Sequence, residues 1–228
     1  MSEPQFFEPL RSVAIRELPG CEELLSVERL SGGASMETYR LVVSTSNGSQ
    51  QFCMRRGAGG VDRENVSAIG LDCESLLMRT ARENGVVEPE VYYDLKPEDG
   101  VGVGFIMEWL DGETLGSRIV RASELDEVRP LLAEQCGREL AKIHAIDLDK
   151  TGLRERLPTL TPEESLEQTW SRYREWDTAQ PMIDFAGMWL REHLPVGGDL
   201  MLVHNDFRNG NLMVDAEVGL KAVLDWET

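Results

Sequence analysis

The apolar positions between residues 24 and 56 follow a period of two. Tyr39, Leu41 and Val43 alternate with Thr38, Arg40 and Val42, and beyond Asn47-Gly48 the pattern resumes in the run QFCMRR, Gln51 to Arg56. Successive side chains of a strand point to opposite faces, so this period predicts strands, and Asn-Gly predicts the hairpin turn between two of them. Leu30 to Ser35 is the turn ahead of the middle strand. A helix is expected around Asp72 to Glu83, closed by Asn84-Gly85 because glycine suits the left-handed position after a helix. Two more strands, in the runs EVYYDL and GVGFIMEWL, flank the turn-rich KPEDG and end at Asp111-Gly112.

Past Gly112 the period becomes 3.6. Leu132, Cys136, Leu140 and Ile143 fall on one face of a helix, for which Ser123 is the expected cap. Leu166, Trp170 and Tyr173 mark a second helix, and Ile183, Gly187 and Leu190 a third. The Trp170, Tyr173 and Trp176 cluster is read as packing rather than a substrate cage. Strand character is expected to return at Asp199, with a strand, a loop and a strand over Leu200 to Asp215. A last strand follows a turn at Glu217 to Gly219. A strand-rich part joined to a helix-rich part predicts an α+β protein of two lobes, residues 1–110 and 111–228, hinged near Glu108 to Gly112.

Charge and cysteine usage narrow the function. With 23 Lys and Arg against 41 Asp and Glu, the formal charge of −18 repels a phosphate backbone, which argues against a nucleic-acid partner. A cationic substrate is compatible with it. No apolar run approaches the roughly 20 residues of a membrane span, and MSEPQFF at residues 1–7 is no signal segment. Four cysteines without CxxC spacing suit a reducing cytoplasm. His144 and His193 lack partners at metal-ligand spacing and read as structural.

The densest chemistry lies in LVHNDFRNGNLMVD, Leu202 to Asp215, where polar groups sit between apolar β-formers. Asp206 and Asn211 are separated by four residues, and Asp225 closes the next hairpin. One carboxylate would orient or deprotonate a hydroxyl, while an amide oxygen and a second carboxylate hold a hard cation such as Mg²⁺. That division of labour suits phosphoryl transfer.

His204-Asn205-Asp206 with Asn211, followed by Asp225-Trp226, resembles the catalytic and metal motifs of the aminoglycoside phosphotransferase and choline kinase family, relatives of the protein kinases. FRNGNLMVD with AVLDWE is most similar to the branch also found fused to acyl-CoA dehydrogenases. LSGGASMETYRL resembles the family's phosphate-covering loop, FIMEWLDGETL its hinge, and GRELAKIHAID the helix ahead of its catalytic loop. The resemblance implies a two-lobed protein-kinase-like fold and an ATP-dependent, Mg²⁺-requiring kinase of small-molecule hydroxyls, with GTP as an alternative nucleotide. It implies Asp206 as catalytic base, Asn211 and Asp225 as Mg²⁺ ligands, and His204 as a prop for the loop. Arg208 occupies the place of a lysine that faces the γ-phosphate in many protein kinases, which implies a charge-stabilising role.

Ser31, Gly32, Gly33 and Ser35 would cover the phosphates, and backbone groups of Glu108 and Leu110 would hold the adenine. Arg55 stands where the family places a phosphate-binding lysine, with Glu74 as its natural partner. Arg56 is a rival, because alternation puts the two arginines on opposite faces without saying which face is inward. Asn205 replaces the family's usual glycine, and asparagine is among the least costly replacements where φ is positive. The chain stops three residues after Asp225, short of the region that builds most of the family's acceptor site. A second reading is therefore a non-catalytic or truncated nucleotide-binding or interaction module, and self-association through uncovered apolar helix surface is expected.

Overall fold

The alternating segment forms β1 (Glu23–Arg29), β2 (Met36–Thr45) and β3 (Gly48–Gly57), and the later pair forms β4 (Val91–Asp94) and β5 (Gly104–Glu108). All five make one antiparallel sheet in the order β1-β2-β3-β5-β4. The Asn47-Gly48 turn sets the β2–β3 register, from Thr45 opposite Gly48 to Met36 opposite Gly57, with Gly48 at φ 115°. This computed structural model describes residues 4–30, 36–61, 69–176 and 178–226. The turn predicted at Leu30 to Ser35 therefore lies, beyond Leu30, outside the described residues.

Strand alternation divides the sheet into two faces. Tyr39, Leu41, Val43, Phe52, Met54 and Ile106 point to one side and are buried there against Leu10, Val13 and Ala14. Those three belong to α1 (Phe7–Glu17), a helix the sequence reading did not anticipate. No side chain caps its start, so the N-terminal signal that would have revealed it is missing. The opposite face carries Thr38, Cys53, Arg55, Phe105 and Met107. Across it lies α2 (Gly70–Glu83), whose Leu77, Met78 and Ala81 pack in one cluster with Phe105. Gly85, at φ 82°, ends the chain's course past this helix as expected.

The second lobe contains α3 (Gly116–Arg121), α4 (Leu132–His144), α5 (Pro162–Arg174), α6 (Pro181–His193) and the hairpin of β6 (Leu212–Asp215) and β7 (Gly219–Val223). Its core joins that of the first lobe, because Ile143, Leu153, Leu202, Leu212 and Trp226 share a cluster with α2. Three expectations are corrected. Ser123 does not cap α4; it opens a short 3-10 turn, and Pro130 lies in another just ahead of Leu132. No strand forms between Asp199 and Asn211, which enter neither sheet; the Asp206 N–H turns back to the His204 carbonyl at 2.8 Å, and the Asn211 carbonyl takes the Leu224 N–H at 2.7 Å. Trp176 packs on one side alone: it is 63% exposed, with its ring edge-on at 6.2 Å to that of Tyr173, which is buried. Met182, Phe185, Met188 and Trp189 of α6 are exposed as well, the uncovered apolar surface expected of this region.

Gly104 is needed for close approach of β5 to β3. A Cβ there would lie 2.3 Å from the Arg55 carbonyl oxygen and 2.9 Å from Arg56 Cα, both backbone atoms that cannot swing away. Gly104→Ala should therefore cost about 1–3 kcal/mol, the range for overpacking a closed site, read as a lower urea midpoint at unchanged m-value. A midpoint equal to that of the original protein would show that the β3–β5 spacing is slack.

Candidate active site

Arg55 leaves β3 on the α2 side of the sheet. Its Nε lies 3.2 Å from Glu74 Oε2, and its Nη2 donates to Asp225 Oδ1 at 2.7 Å. Glu74 is 1% exposed on the inward edge of α2. A carboxylate so buried is costly to ionise unless a cation meets it, and Arg55 does so. Arg56 takes the other face. It donates to Glu37 Oε2 and to the Val101 carbonyl, each at 2.7 Å, and its guanidinium lies 4.3 Å from the centre of the Phe6 ring. The ambiguity between the two arginines is thereby resolved geometrically, with Arg55 facing the cleft and Arg56 facing α1.

The loop from His204 to Asn211 is stitched by side chains. Asn211 Nδ2 donates to Asp206 Oδ2 at 2.8 Å and to the Asp206 carbonyl at 3.1 Å. Arg208 Nε reaches both Asp206 oxygens, at 2.9 and 3.0 Å. The Arg208 hydrogen bond, opposed by slight burial and supported by Asn211, holds the Asp206 carboxyl below the usual range. His204 is buried, which lowers its pKa and keeps the ring neutral; its Nε2 donates to the Leu224 carbonyl at 3.1 Å. Among the described residues two non-glycines have positive φ, Asn205 at 63° and Asp225 at 73°. Such conformations cost an L-residue energy and persist where surroundings enforce them.

Arg55, Glu74, Glu108, Leu110, Asn211 and Asp225 line a cavity of about 460 Å³ between the lobes. Glu108 and Phe52 face each other across the β3–β5 ladder, and the Glu108 N–H is taken by the Glu90 carbonyl at 2.7 Å. The Leu110 peptide makes no hydrogen bond among the described residues. Cys53 also lines the cleft, but burial pushes its thiol up to about 12, so it is inert. Ser31, Gly32, Gly33 and Ser35 lie outside the described residues.

The donors fit a hard cation. Asn211 spends its amide nitrogen on Asp206, leaving the amide oxygen, and Asp225 supplies a carboxylate to the same cleft. Among the described residues no three His, Cys, Asp or Glu cluster as a metal cage. An incomplete set of oxygen ligands is what Mg²⁺ uses when water and phosphate oxygens supply the rest. Sequence reasoning overlooked Glu88. It is 2% exposed, its Oε1 accepts the Trp226 indole N–H at 2.8 Å, and its Oε2 has no hydrogen-bond partner among the described residues. Burial, reinforced by Glu74 and Glu139 and opposed by the Trp226 bond and Arg82, raises its pKa well above the usual value.

A strand-rich lobe with one long helix, a helical lobe, and acid and amide side chains on the loops between them define the kinase-like phosphotransferase fold. Residues 26–228 match the model of the phosphotransferase enzyme family, APH, and the chain belongs to that family. Acyl-CoA dehydrogenase family member 10 of Mus musculus is 28% identical over 214 residues; these are 91% of this chain and 19% of that protein. A Ralstonia eutropha protein assigned as an aminoglycoside phosphotransferase superposes with a TM-score of 0.76 at 27% identity, over 96% of this chain and 64% of its own. Two distant neighbours share the fold. They are APH(2")-IIIa in complex with GDP and kanamycin, at TM-score 0.65 and 14% identity over 95% of this chain and 71% of its own, and a choline kinase from Cryptosporidium parvum, at 0.61 and 13% over 96% and 64%. No helix among the described residues is long and apolar enough to cross a membrane.

The positive φ of Asn205 makes side-chain identity at this position a matter of backbone strain. Asn205→Ala should destabilise the chain by about 1 kcal/mol, whereas Asn205→Gly should be no less stable than the original, as read from paired urea melts. Equal losses in both would point to the asparagine side chain instead. Glu88 gives a pH signature. Its folded pKa is raised, so its contribution to stability is complete below the unfolded value of about 4.3 and is lost as pH rises through the folded value. Glu88→Gln, which cannot ionise, should therefore gain stability relative to the original protein as pH climbs above about 4.3. Parallel pH–stability curves would mean that Glu88 does not titrate abnormally.

Proposed function

We propose that the chain is the nucleotide-binding and catalytic part of an ATP-dependent kinase that transfers the γ-phosphoryl group to a hydroxyl of a small molecule. The observation that carries this reading is that Arg55, Asn211 and Asp225 line one cleft, with Arg55 bonded to Asp225 across 170 positions of sequence and Asp206 bonded to Asn211 beside it. Family membership supports the reaction class. Kanamycin and choline kinases among the structural neighbours support a small-molecule acceptor, and GDP bound to one of them keeps GTP as an alternative nucleotide. Because the chain spans 19% of its curated relative and 64% of the Ralstonia protein, the acceptor and the whole protein's activity belong to this proposal too.

In this reading Arg55 holds the α- and β-phosphates, and Glu74 fixes the guanidinium so that little side-chain entropy is lost on binding. The Glu108 carbonyl and Leu110 N–H take the adenine edge. Asn211 and Asp225 hold Mg²⁺, which neutralises charge on the phosphates when bound. Asp206 accepts the hydroxyl proton. Its lowered pKa keeps it ionised at neutral pH, and a weak base is sufficient because the loose transition state of phosphoryl transfer needs the nucleophile positioned more than deprotonated. Among the described residues Oδ1 receives a bond from Arg208 alone, so one of its lone pairs remains for the hydroxyl. Arg208 counters the charge of Asp206 and lies ready for that of the phosphoryl group. Ser31, Gly32, Gly33 and Ser35 are assigned to the phosphate-covering turn.

Asp206→Asn should lower turnover by about 10²–10⁴ while nucleotide affinity stays within a few-fold, the pattern for losing a general base. Asp225→Ala should instead abolish the Mg²⁺-dependent part of ATP affinity. Calorimetric titration of ATP with and without Mg²⁺, paired with a coupled ADP assay on the full-length protein, measures both. Unchanged turnover in the first variant removes Asp206 from the chemistry. Mg²⁺-independent affinity in the original protein would favour a non-catalytic module, a reading that the Arg55–Asp225 contact also suits because it occupies one carboxylate oxygen.

A further inference from the structure

Residues 86–89, between α2 and β4, touch the helical lobe at three points. Val223 N–H donates to the Val87 carbonyl at 2.9 Å, Val87 N–H donates to Glu139 Oε2 at 3.0 Å, and the Trp226 indole donates to Glu88 Oε1 at 2.8 Å. The first two fix a strand and a helix. The third fixes the residue next to Asp225, whose φ of 73° must be enforced from both sides. On one side, Leu224 is held by its N–H to the Asn211 carbonyl at 2.7 Å and by His204 Nε2 on its own carbonyl. On the other side stands Trp226, 2% exposed, with its ring centre 4.5 Å from that of His204 and its N–H on Glu88.

We propose that Glu88 is a positioning residue for Asp225, its buried carboxyl oxygen anchoring the Trp226 indole so that the Leu224–Trp226 turn keeps its left-handed backbone and the Asp225 carboxylate stays aimed at Arg55. A carboxyl with no ion pair among the described residues is an expensive acceptor to bury, and the Arg82 guanidinium donates to the Glu88 backbone carbonyl. The group is nevertheless placed where a single acceptor sets the indole. Glutamine offers the same acceptor atom without the charge, whereas leucine fills the space and offers none. The inference rests on the reading of Asp225 as a Mg²⁺ ligand.

The test titrates the full chain with ATP, with and without Mg²⁺, in the original protein and in Glu88→Gln, Glu88→Leu and Trp226→Phe. The indole N–H resonance of Trp226 is followed in parallel and assigned by its absence from Trp226→Phe. Glu88→Leu and Trp226→Phe should each lose about 10-fold in MgATP affinity, the lower end for removing a group that orients a metal ligand, with metal-free ATP affinity unchanged. Glu88→Gln should keep both the Mg²⁺ dependence and the hydrogen-bonded indole resonance. If Glu88→Leu does not fold, Trp226→Phe carries the same expectation. The inference is overturned if either variant retains the full Mg²⁺ dependence, if both ATP affinities fall together, or if Glu88→Gln behaves as Glu88→Leu does. An original protein whose ATP affinity ignores Mg²⁺ overturns the kinase reading itself, a failure visible before any variant is made.

Discussion

The guanidinium of Arg55 sits between two carboxylates from different parts of the chain, Glu74 on α2 and Asp225 beyond β7. Arg55 and Glu74 are both largely withdrawn from water, with side chains 15% and 2% exposed. Removing either partner would leave an uncompensated buried charge, so the pair constrains everything it touches: α2 must lie against the α2-facing side of β3, and the Asp225 turn must come up beneath them. One cation thereby links the sheet, its long helix and the second lobe. The contact joins positions that no local propensity could bring together.

Around this link the structure tolerates backbone strain. Asn205 and Asp225 both occupy left-handed conformations, and both lie in loops whose ends are pinned by short bonds. His204, neutral because it is buried, ties the first loop to the second through Leu224, and Asn211 returns the contact through its carbonyl. Strain of this kind is affordable only where packing over-determines the geometry. Trp226 and Glu88 extend the same lattice into the first lobe, so the cleft between the lobes is spanned by specific polar bonds as well as by the shared apolar core.

The charge states of the carboxyl groups beside the cleft follow from their surroundings. The Asp206 carboxyl is held below the usual range because Arg208 and Asn211 donate to it, whereas that of Glu88 is raised well above it because burial outweighs the Trp226 bond and Arg82. Two carboxyl groups of nearly the same intrinsic acidity are thus separated by environment alone. The first arrangement is local to one loop, from donors two and five positions along the chain. The second arises from how this chain closes its two lobes on each other.

Local pattern and motif spacing were enough to determine the β meander, the Asn47-Gly48 hairpin, α2 with its Gly85 stop, the β4–β5 pair and the phosphotransferase family. Each of these is written in neighbouring residues, through strand alternation, turn chemistry or a motif a few residues long. The positive φ at Asn205 was legible for the same reason, as a conformation glycine and asparagine share. Only the tertiary structure decided which arginine faces the cleft, because alternation separates Arg55 from Arg56 but the choice of face depends on where α1 and α2 pack. It likewise decided that Leu200 to Asn211 forms no strand, since a strand requires a partner and these residues enter neither sheet. Glu88 was unreadable in the sequence, for an acid near a proline resembles any surface acid until Trp226, 138 positions away, is folded onto it and water is excluded.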